Sequence, residues 1–209
     1  MRSSPHVFVT GIGASWNAAL SAGSLFQQGG YPIQMQEAAE LLHFTAIPRG
    51  AVVVAISRTG RSIEIIQLLA QAEARGARVI GITNSEDSPL ARESSVAITI
   101  PTKLDHAISV NTYSTLVIAS SALASSVTAD FSAVASSLVD LIRESGRRLK
   151  SWQVQVDKSS WLEVGASYYF LARGGSLGTC HEARLLWRRR SSRHHNPLRC
   201  PAIRRCRQL

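Results

Sequence analysis

The feature that most restricts the fold is an unbroken apolar run, Ala51–Ser57, that leads directly into a turn rich in hydroxyl groups. A run without polar alternation is typical of a strand buried on both faces, as in a parallel sheet covered by helices. Similar short runs occur at His6–Thr10, Pro32–Met35, Arg78–Thr83 and Val96–Ile100. The segments between them lack hairpin signals, so the sequence predicts an α/β fold, a three-layer sandwich with a central parallel sheet of flavodoxin-like topology.

Helical periodicity fills the connections between the predicted strands. In the helix predicted over Ser62–Arg75, we expect Ile63, Ile66, Leu69 and Ala70 to form the buried side. The other predicted helices and helical turns are Ala14–Gln27, Ala38–Leu42, Pro89–Glu93, Ser109–Ser126 and Phe131–Leu149. The order of strand, glycine turn and helix then recurs, with Tyr168–Ala172 as a strand and Thr179–Trp187 as a helix. The repeat indicates the start of a second, incomplete copy.

The predicted organisation has four parts: a complete domain over 1–127, a helical linker over 128–160, the incomplete copy over 161–187 and a basic irregular tail over 188–209. The tail holds eight of the 23 basic residues and no acidic one, although the whole chain carries a net charge of +9. The rest is therefore nearly neutral, and we expect no specific nucleic-acid partner. The tail is either a natural basic extension or the product of a shifted reading frame, and its abrupt change of composition favours the second explanation.

No cofactor or metal is expected from the motifs of the chain. Gly11-Ile-Gly13-Ala-Ser15 is not a dinucleotide fingerprint, because position 16 is Trp, and no nucleotide-triphosphate loop occurs. Cys180, Cys200 and Cys206, with the adjacent His194 and His195, lack the paired spacing of zinc ligands. No apolar run reaches the roughly 18–20 residues of a membrane span, and no signal peptide precedes the first strand. We therefore expect a cytoplasmic protein without a membrane partner.

A candidate anion site lies between the buried strand and the helix that follows it. The segment Ser57-Arg58-Thr59-Gly60-Arg61-Ser62 places three hydroxyl groups around a glycine at a helix N-terminus. Unpaired backbone N–H groups and the helix dipole favour an anion there. The alternative is that Ser62 is simply the N-cap of the helix. Ligands of open parallel sheets bind beyond the carboxyl ends of the strands, which favours the anion site.

Both glycine-containing turns resemble motifs of the SIS (sugar isomerase) domain family, which includes sugar-phosphate isomerases, deaminases and the isomerase half of glucosamine-6-phosphate synthase. The family's phosphate loop reads Ser-x-Ser-Gly-x-Thr, which Ser57–Ser62 matches with two exchanges between hydroxyl residues. Its first turn, approximately Gly-Thr-Ser-x-x-Ala, is similar to Gly13–Ala18, and Glu37–Glu40 is similar to an acidic helix start that faces the ligand across a dimer. The resemblance implies a homodimer that binds a hexose or amino-hexose 6-phosphate. The substrate-binding residues that it implies are Gly13, Ala14, Ser15, Ser57, Arg58, Thr59, Gly60 and Ser62.

The catalytic residues that the resemblance implies are missing from this sequence. The family's lysine and glutamate would fall near Leu186 and Arg189, and its catalytic histidine has no counterpart. Glu40, His43 and His106 are the remaining acid–base candidates, and none is assigned a catalytic role. We therefore expect binding of a phosphorylated sugar without aldose–ketose isomerisation. The alternatives are a sugar-phosphate sensor or regulatory module, and an inactive fragment of an isomerase, deaminase or aminotransferase.

Overall fold

A computed structural model of the chain describes residues 1, 4–103, 105, 110–128, 131–158 and 168–192. The elements of this part, in chain order, are β1 (Val7–Gly11), α1 (Ala14–Gln28), β2 (Gln34–Met35), α2 (Ala38–Phe44), β3 (Val52–Ile56), α3 (Ile63–Ala74), β4 (Arg78–Thr83), α4 (Pro89–Glu93), β5 (Val96–Thr99), α5 (Asn111–Thr128), α6 (Phe131–Asp157) and α7 (Ser176–Ser192). All twelve were predicted from the sequence as helix or strand, with boundaries that differ mainly in α6 and α7.

The five strands form one parallel sheet in the order β2-β1-β3-β4-β5. The predicted α/β sandwich and its flavodoxin-like topology are thereby confirmed. β1 and β3 are buried along their whole length, as the apolar runs predicted. The prediction that Val96–Ile100 is a core strand was wrong, because β5 lies at the sheet edge and Val96 is 54% exposed.

Alternate residues of the buried strands supply two separate cores, one on each face of the sheet. Val7, Val9 and Val54 pack with Phe26 of α1 and Leu116 of α5 on one face. On the other face, α2, α3 and α4 cover Phe8, Val53 and Ala55, and contribute Leu41, Ile65, Leu68 and Leu90. Since side chains of a strand point alternately to opposite faces, a continuous apolar strand needs both helix layers.

The buried face of α3 differs from the prediction. The buried residues of the helix are Ile65, Leu68, Leu69 and Ala72, whereas Ile63 is 62% exposed and Ala70 is exposed. Of the four residues predicted, only Leu69 is fully buried. Apolar residues occupy most of this helix, so their spacing fits more than one face, and packing against the sheet selects among them.

The C-terminal part departs further from the prediction. Residues 168–173 form no strand, so the strand predicted over Tyr168–Ala172 was wrong. A strand needs a neighbour to pair its backbone groups, and Tyr169 and Leu171 are more than four-fifths exposed. The predicted helix is present as α7, but it continues through Arg188–Ser192, where an irregular tail was expected. Arginine favours helix, so the helix persists without apolar periodicity.

Helix α7 packs antiparallel against α1 by a close backbone approach. Gly175 lies beside Ser21, and Gly178 lies so close to the Asn17 carbonyl that a Cβ at this glycine would overlap it. Asn17 Nδ2 donates a 3.0 Å hydrogen bond to the buried carboxylate of Glu182. A third helix joins this contact, because the hydroxyls of Tyr113 on α5 and Thr179 on α7 are 3.3 Å apart. Burial raises the pKa of Tyr113, and the nearby Glu182 charge acts in the same direction.

Helix α6 extends for about 40 Å at 1.5 Å per residue. Its start contacts the end of α5, while large apolar side chains farther along remain exposed. Leu141, Ile142 and Leu149 are each about 60% exposed, and Trp152 is 44% exposed. No helix within the described ranges is long and apolar enough to cross a bilayer.

Candidate functional site: two hydroxyl-bearing loops at the switch point of the sheet

Two loops meet where the strand order of the sheet reverses. The chain leaves β1 for β2 on one side and later enters β3 on the other, so the carboxyl ends of β1 and β3 border a crevice. The turn after β1 leads into α1 through Gly13, Ala14 and Ser15, and the loop Ser57–Ser62 follows β3. The two are joined directly, because the Arg58 N–H donates to Ser15 Oγ at 3.2 Å.

The hydroxyl groups of these loops act as hydrogen-bond acceptors for the backbone. Ser57 Oγ, on a buried side chain, accepts the Gly60 N–H at 3.1 Å. Thr59 Oγ1 accepts the Arg61 N–H at 3.3 Å. A hydroxyl carries one proton to donate in addition to its lone pairs. Within the described part of the chain, the hydroxyls of Ser15, Ser57 and Thr59 donate to no protein atom, so three O–H donors are left for a ligand.

The helix N-termini beside these loops have no side-chain cap. Ser62 lies at the N-cap of α3, as one interpretation of the sequence required, but its hydroxyl makes no capping hydrogen bond. Gly13, the N-cap residue of α1, has no side chain to offer. An uncapped N-terminus favours an anion through its dipole and its first N–H groups. The loop N–H groups of Arg58, Gly60 and Arg61, which were expected to face the anion, donate instead to hydroxyls.

The loop after β3 depends on a glycine at its centre. Gly60 has φ +60°, and a Cβ there would overlap the side chain of Ser88 before α4. Its carbonyl accepts the Leu90 N–H at 3.3 Å. The Arg61 guanidinium donates to the Asp87 carbonyl at 2.8 Å, so α4 and the segment before it each hold the loop at one place. Any larger residue at position 60 would separate these segments.

Residues at the end of β4 support the loop and were not predicted as part of the site. Thr83 Oγ1 and the Asn84 N–H each donate to the Arg58 carbonyl at 3.1 Å. The Asn84 side-chain amide also lies within 3.0 Å of the Ile100 carbonyl and of Thr115 Oγ1 on α5. Their position directly after a buried strand is the signal that could have identified them, since neighbouring parallel strands end at the same edge.

Within the described residues, no hydrogen bond joins the acid–base candidates Glu40 and His43 to the two loops. Glu37 caps α2 by accepting the Ala39 N–H at 3.2 Å, and the side chains of Glu40 and His43 are exposed on the same helix. Cys180 is a free, half-buried thiol on α7. Leu186 and Arg189 lie in the last turns of that helix. The remaining predicted candidates, His106, His194, His195, Cys200 and Cys206, are outside the described residues.

The chain is similar to enzymes of sugar-phosphate metabolism in sequence and in fold. It is 33% identical over 98 residues to glutamine–fructose-6-phosphate aminotransferase (isomerizing) from Sulfolobus acidocaldarius, over 47% of this chain and 16% of that protein. The C-terminal domain of glucosamine-fructose-6-phosphate aminotransferase from Francisella tularensis superposes with a TM-score of 0.76 at 20% identity, covering 88% of this chain and 55% of the other. Glucosamine-6-phosphate deaminase from Thermotoga maritima superposes with a TM-score of 0.52 at 25% identity, over 60% and 40% of the two chains.

The matched regions cover only part of each relative: 16% of the Sulfolobus enzyme, 55% of the Francisella domain and 40% of the Thermotoga enzyme. The family model described as the SIS domain matches residues 1–128, which include the whole sheet and both loops at its switch point. On this match, the chain belongs to the SIS domain family.

Proposed function

We propose that the chain binds a hexose or amino-hexose 6-phosphate, with the phosphate group on the loop Ser57–Ser62. The observation that carries this proposal is the set of hydroxyls on Ser15, Ser57 and Thr59, which accept from the backbone and keep their own protons for a ligand. Hydroxyl donors form charge-assisted hydrogen bonds to phosphate oxygens, and these are stronger than bonds between neutral groups. The uncapped N-termini of α1 and α3 add a favourable potential for the same anion.

The membership in the SIS domain family and the fold shared with phosphosugar enzymes support the same ligand class. In this proposal Gly13 and Ala14 form the turn beside the phosphate, and Gly60 permits the loop conformation. Arg58 and Ser62 flank the bound group. Because phosphorylated sugars do not cross bilayers readily, the proposal also implies that the protein acts in the cytoplasm.

Ligand-induced stabilisation tests the proposal. Glucosamine 6-phosphate and fructose 6-phosphate should raise the melting temperature of the chain, whereas glucosamine and fructose should not, because a ligand that binds only the native state stabilises it. The double variant Ser57→Ala, Thr59→Ala should bind more weakly by about 1–3 kcal/mol. Thr59→Ser keeps the hydroxyl and should bind like the wild type. Equal shifts with phosphorylated and unphosphorylated sugars would exclude a phosphate site.

We further propose that this binding is not accompanied by aldose–ketose isomerisation. Moving a hydrogen between C1 and C2 needs one group to open the ring and another to take a proton beside the carbonyl. Arg189 stands where the family resemblance puts a glutamate, and an arginine remains protonated in proteins. A protein that binds the ground state and the transition state equally well does not accelerate the chemical step. Turnover of fructose 6-phosphate that is lost in Glu40→Gln would contradict this and make Glu40 the base.

A sensor or regulatory module is the second candidate function. It is favoured by two features of the sequence: the loop Ser57–Ser62 matches the family's phosphate motif, whereas Leu186 and Arg189 lie near the positions that the resemblance implies for the family's catalytic lysine and glutamate. A sensor should bind its sugar phosphate reversibly and release it unchanged. Chromatography of the ligand after prolonged incubation distinguishes the two functions, because an enzyme would return a mixture of isomers or deaminated product.

A further inference from the structure

Helix α7 runs along α1 in the direction of the two loops of the candidate site. Gly175 lies beside Ser21, and one turn later Gly178 lies against the Asn17 carbonyl. One further turn brings the buried carboxylate of Glu182 to the Asn17 side chain, from which it accepts a hydrogen bond at 3.0 Å. Successive turns of α7 therefore contact earlier and earlier residues of α1, and the C-terminal end of α7 lies on the side of the α1 N-terminus.

The last turns of α7 extend beyond the start of α1. Helix α1 begins at Ala14, three residues before Asn17, which corresponds to about 4.5 Å of helix. Helix α7 continues for ten residues after Glu182, to Ser192, which corresponds to about 15 Å. The first turn of α1 is hydrogen-bonded to the loop after β3. The final part of α7 therefore lies past the end of α1, at the level of the candidate anion site.

This final part of α7 contains three consecutive arginines, Arg188, Arg189 and Arg190. Seven residues of an α-helix make almost two full turns, so Arg189 lies on the same side of α7 as Glu182, which is the side that packs on α1. With Glu182 level with its hydrogen-bond partner, Arg189 lies about 6 Å beyond the level of Ala14. No acidic residue follows Glu182 in the sequence, so α7 offers no carboxylate to its own last turns.

We propose that Arg189 binds a second anionic group of the ligand, so that the preferred ligand is a sugar 6-phosphate with a carboxylate or a second phosphate at its other end. This inference rests on the proposed phosphate site at Ser57–Ser62 and narrows its substrate class. A guanidinium stays charged in proteins and binds carboxylate or phosphate through two parallel hydrogen bonds. The loop hydroxyls, including those of the buried Ser15 and Ser57, serve the 6-phosphate. An arginine past the start of α1 is then placed for an anion farther along the sugar.

The arginines have a second possible role, which is independent of any ligand. A cation in the last turn of a helix interacts favourably with the helix dipole. This contribution would change the unfolding free energy when an arginine is replaced, but it would not change how the chain discriminates between ligands. Selectivity for a second anionic group is therefore the property that separates the two roles.

Isothermal titration calorimetry of the full chain tests the proposal with fructose 6-phosphate, fructose 1,6-bisphosphate and 6-phosphogluconate. At least one of the two ligands with a second anionic group should bind about tenfold or more tightly than fructose 6-phosphate, because a hydrogen bond between charged groups contributes that much. Preference for the bisphosphate would identify the second group as a phosphate. Preference for 6-phosphogluconate would identify it as a carboxylate.

Variants of α7 assign the preference to one residue. Arg189→Gln keeps the helix propensity but removes the charge, so it should abolish most of the preference and leave the affinity for fructose 6-phosphate within about twofold of the wild type. Arg189→Lys keeps the charge and should retain part of the preference. Arg184→Gln is the matched control, because it removes the same charge from a position about 200° around the helix from Glu182. It should keep the wild-type preference.

The outcomes distinguish this inference from the proposed function on which it rests. Binding of fructose 6-phosphate without a preference for either doubly anionic ligand would overturn the inference and leave the phosphate site intact. A preference that survives Arg189→Gln, or that Arg184→Gln reduces equally, would also overturn it. Absence of binding by all three ligands would overturn both the inference and the proposed function.

Discussion

The β3–α3 loop and helix α6 differ in whether their side chains contact other elements of the fold. In the loop, polar groups of one element are fixed by another: Ser15 accepts from Arg58, and Thr83 donates to the Arg58 carbonyl. On α6, the ion pairs join residues of the same helix, such as Arg148 and Glu144, and large apolar side chains such as Leu149 are exposed. The loop geometry is therefore fixed by contacts with other elements of the chain, whereas α6 gains little stabilisation from such contacts. Substitutions in the loop should therefore affect stability and ligand binding, whereas substitutions on α6 should change the stability of the chain less.

The largest loss of stability is expected when Gly60 is replaced. Gly60→Val combines a strained positive φ with overlap against Ser88, so it should destabilise the fold by about 2–4 kcal/mol and abolish the ligand-induced rise in melting temperature. Gly50→Val is the matched control, because Gly50 has φ +76° and open space around its Cβ position. Urea unfolding of both variants separates steric overlap from backbone strain. Equal losses of stability would mean that the contact with Ser88 contributes nothing.

A smaller loss of stability is expected when Thr83, which supports the loop, is replaced. Thr83→Val removes the hydroxyl that donates to the Arg58 carbonyl and accepts the Ser85 N–H at 3.2 Å. Because Thr83 is fully buried, the loss should destabilise the chain by about 1–2 kcal/mol and weaken sugar-phosphate binding. Thr83→Ser restores the hydroxyl and should recover most of both effects. A Thr83→Val variant with wild-type affinity would show that the loop holds its conformation without this residue.

On α6, replacing Gly146 should stabilise the folded chain. Gly146 lies in an exposed helical position with no neighbour near its Cβ direction, so Gly146→Ala should raise the unfolding free energy by about 0.5–1 kcal/mol. Thermal unfolding monitored by circular dichroism measures the change. A destabilised Gly146→Ala would mean that another segment packs closely against this position.

Asp105 is held by a hydrogen bond to another element, like the loop residues, but it is accessible to solvent, like the side chains of α6. Its substitution should have the smallest effect on stability. Its carboxylate accepts the Thr112 N–H at 2.9 Å. The Thr112 backbone bond, followed by weaker hydrogen bonds, lowers the pKa of Asp105 despite a partly opposing effect of desolvation.

A lowered pKa in the folded state means that the contribution to stability is present above the unfolded-state pKa and is lost as the pH falls through the folded-state value. Asp105→Asn should therefore cost at most about 0.5–1 kcal/mol at pH 7 and less below pH ~4. Urea titrations at the two pH values measure the difference. A cost that is the same at both would assign the effect to the amide's shape rather than to the charge.

The sequence located the loop Ser57–Ser62 better than the residues that support it. Ser57–Ser62 could be located because it follows an unbroken apolar run and precedes a helix, and both signals are local. Asn84 could not be assigned its role, since its partners Ile100 and Thr115 lie 16 and 31 residues away along the chain. Only the folded sheet brings such groups together.

The same limit explains the errors in the helices and strands. The apolar residues of α3 fit several faces, and the position of the sheet decides that Ile65 and Leu68 are buried. Tyr168–Ala172 has the composition of a strand, but strand formation depends on a partner with free backbone groups. Conversely, α6 continues to Asp157 because helical hydrogen bonds are made within the segment itself and need no partner.

The contact between α7 and α1 has a consequence for how the chain reaches its native state. The hydrogen bond from Asn17 to Glu182 closes a loop of 165 residues, the longest separation among the side-chain hydrogen bonds of the described residues. Contacts of such high sequence separation form slowly, because the entropy of closing the loop is lost before the contact is gained. During synthesis, the side of α1 that faces α7 therefore stays uncovered until α7 has left the ribosome. The sheet and its first helix layers can assemble earlier, and α7 docks onto α1 in a later step.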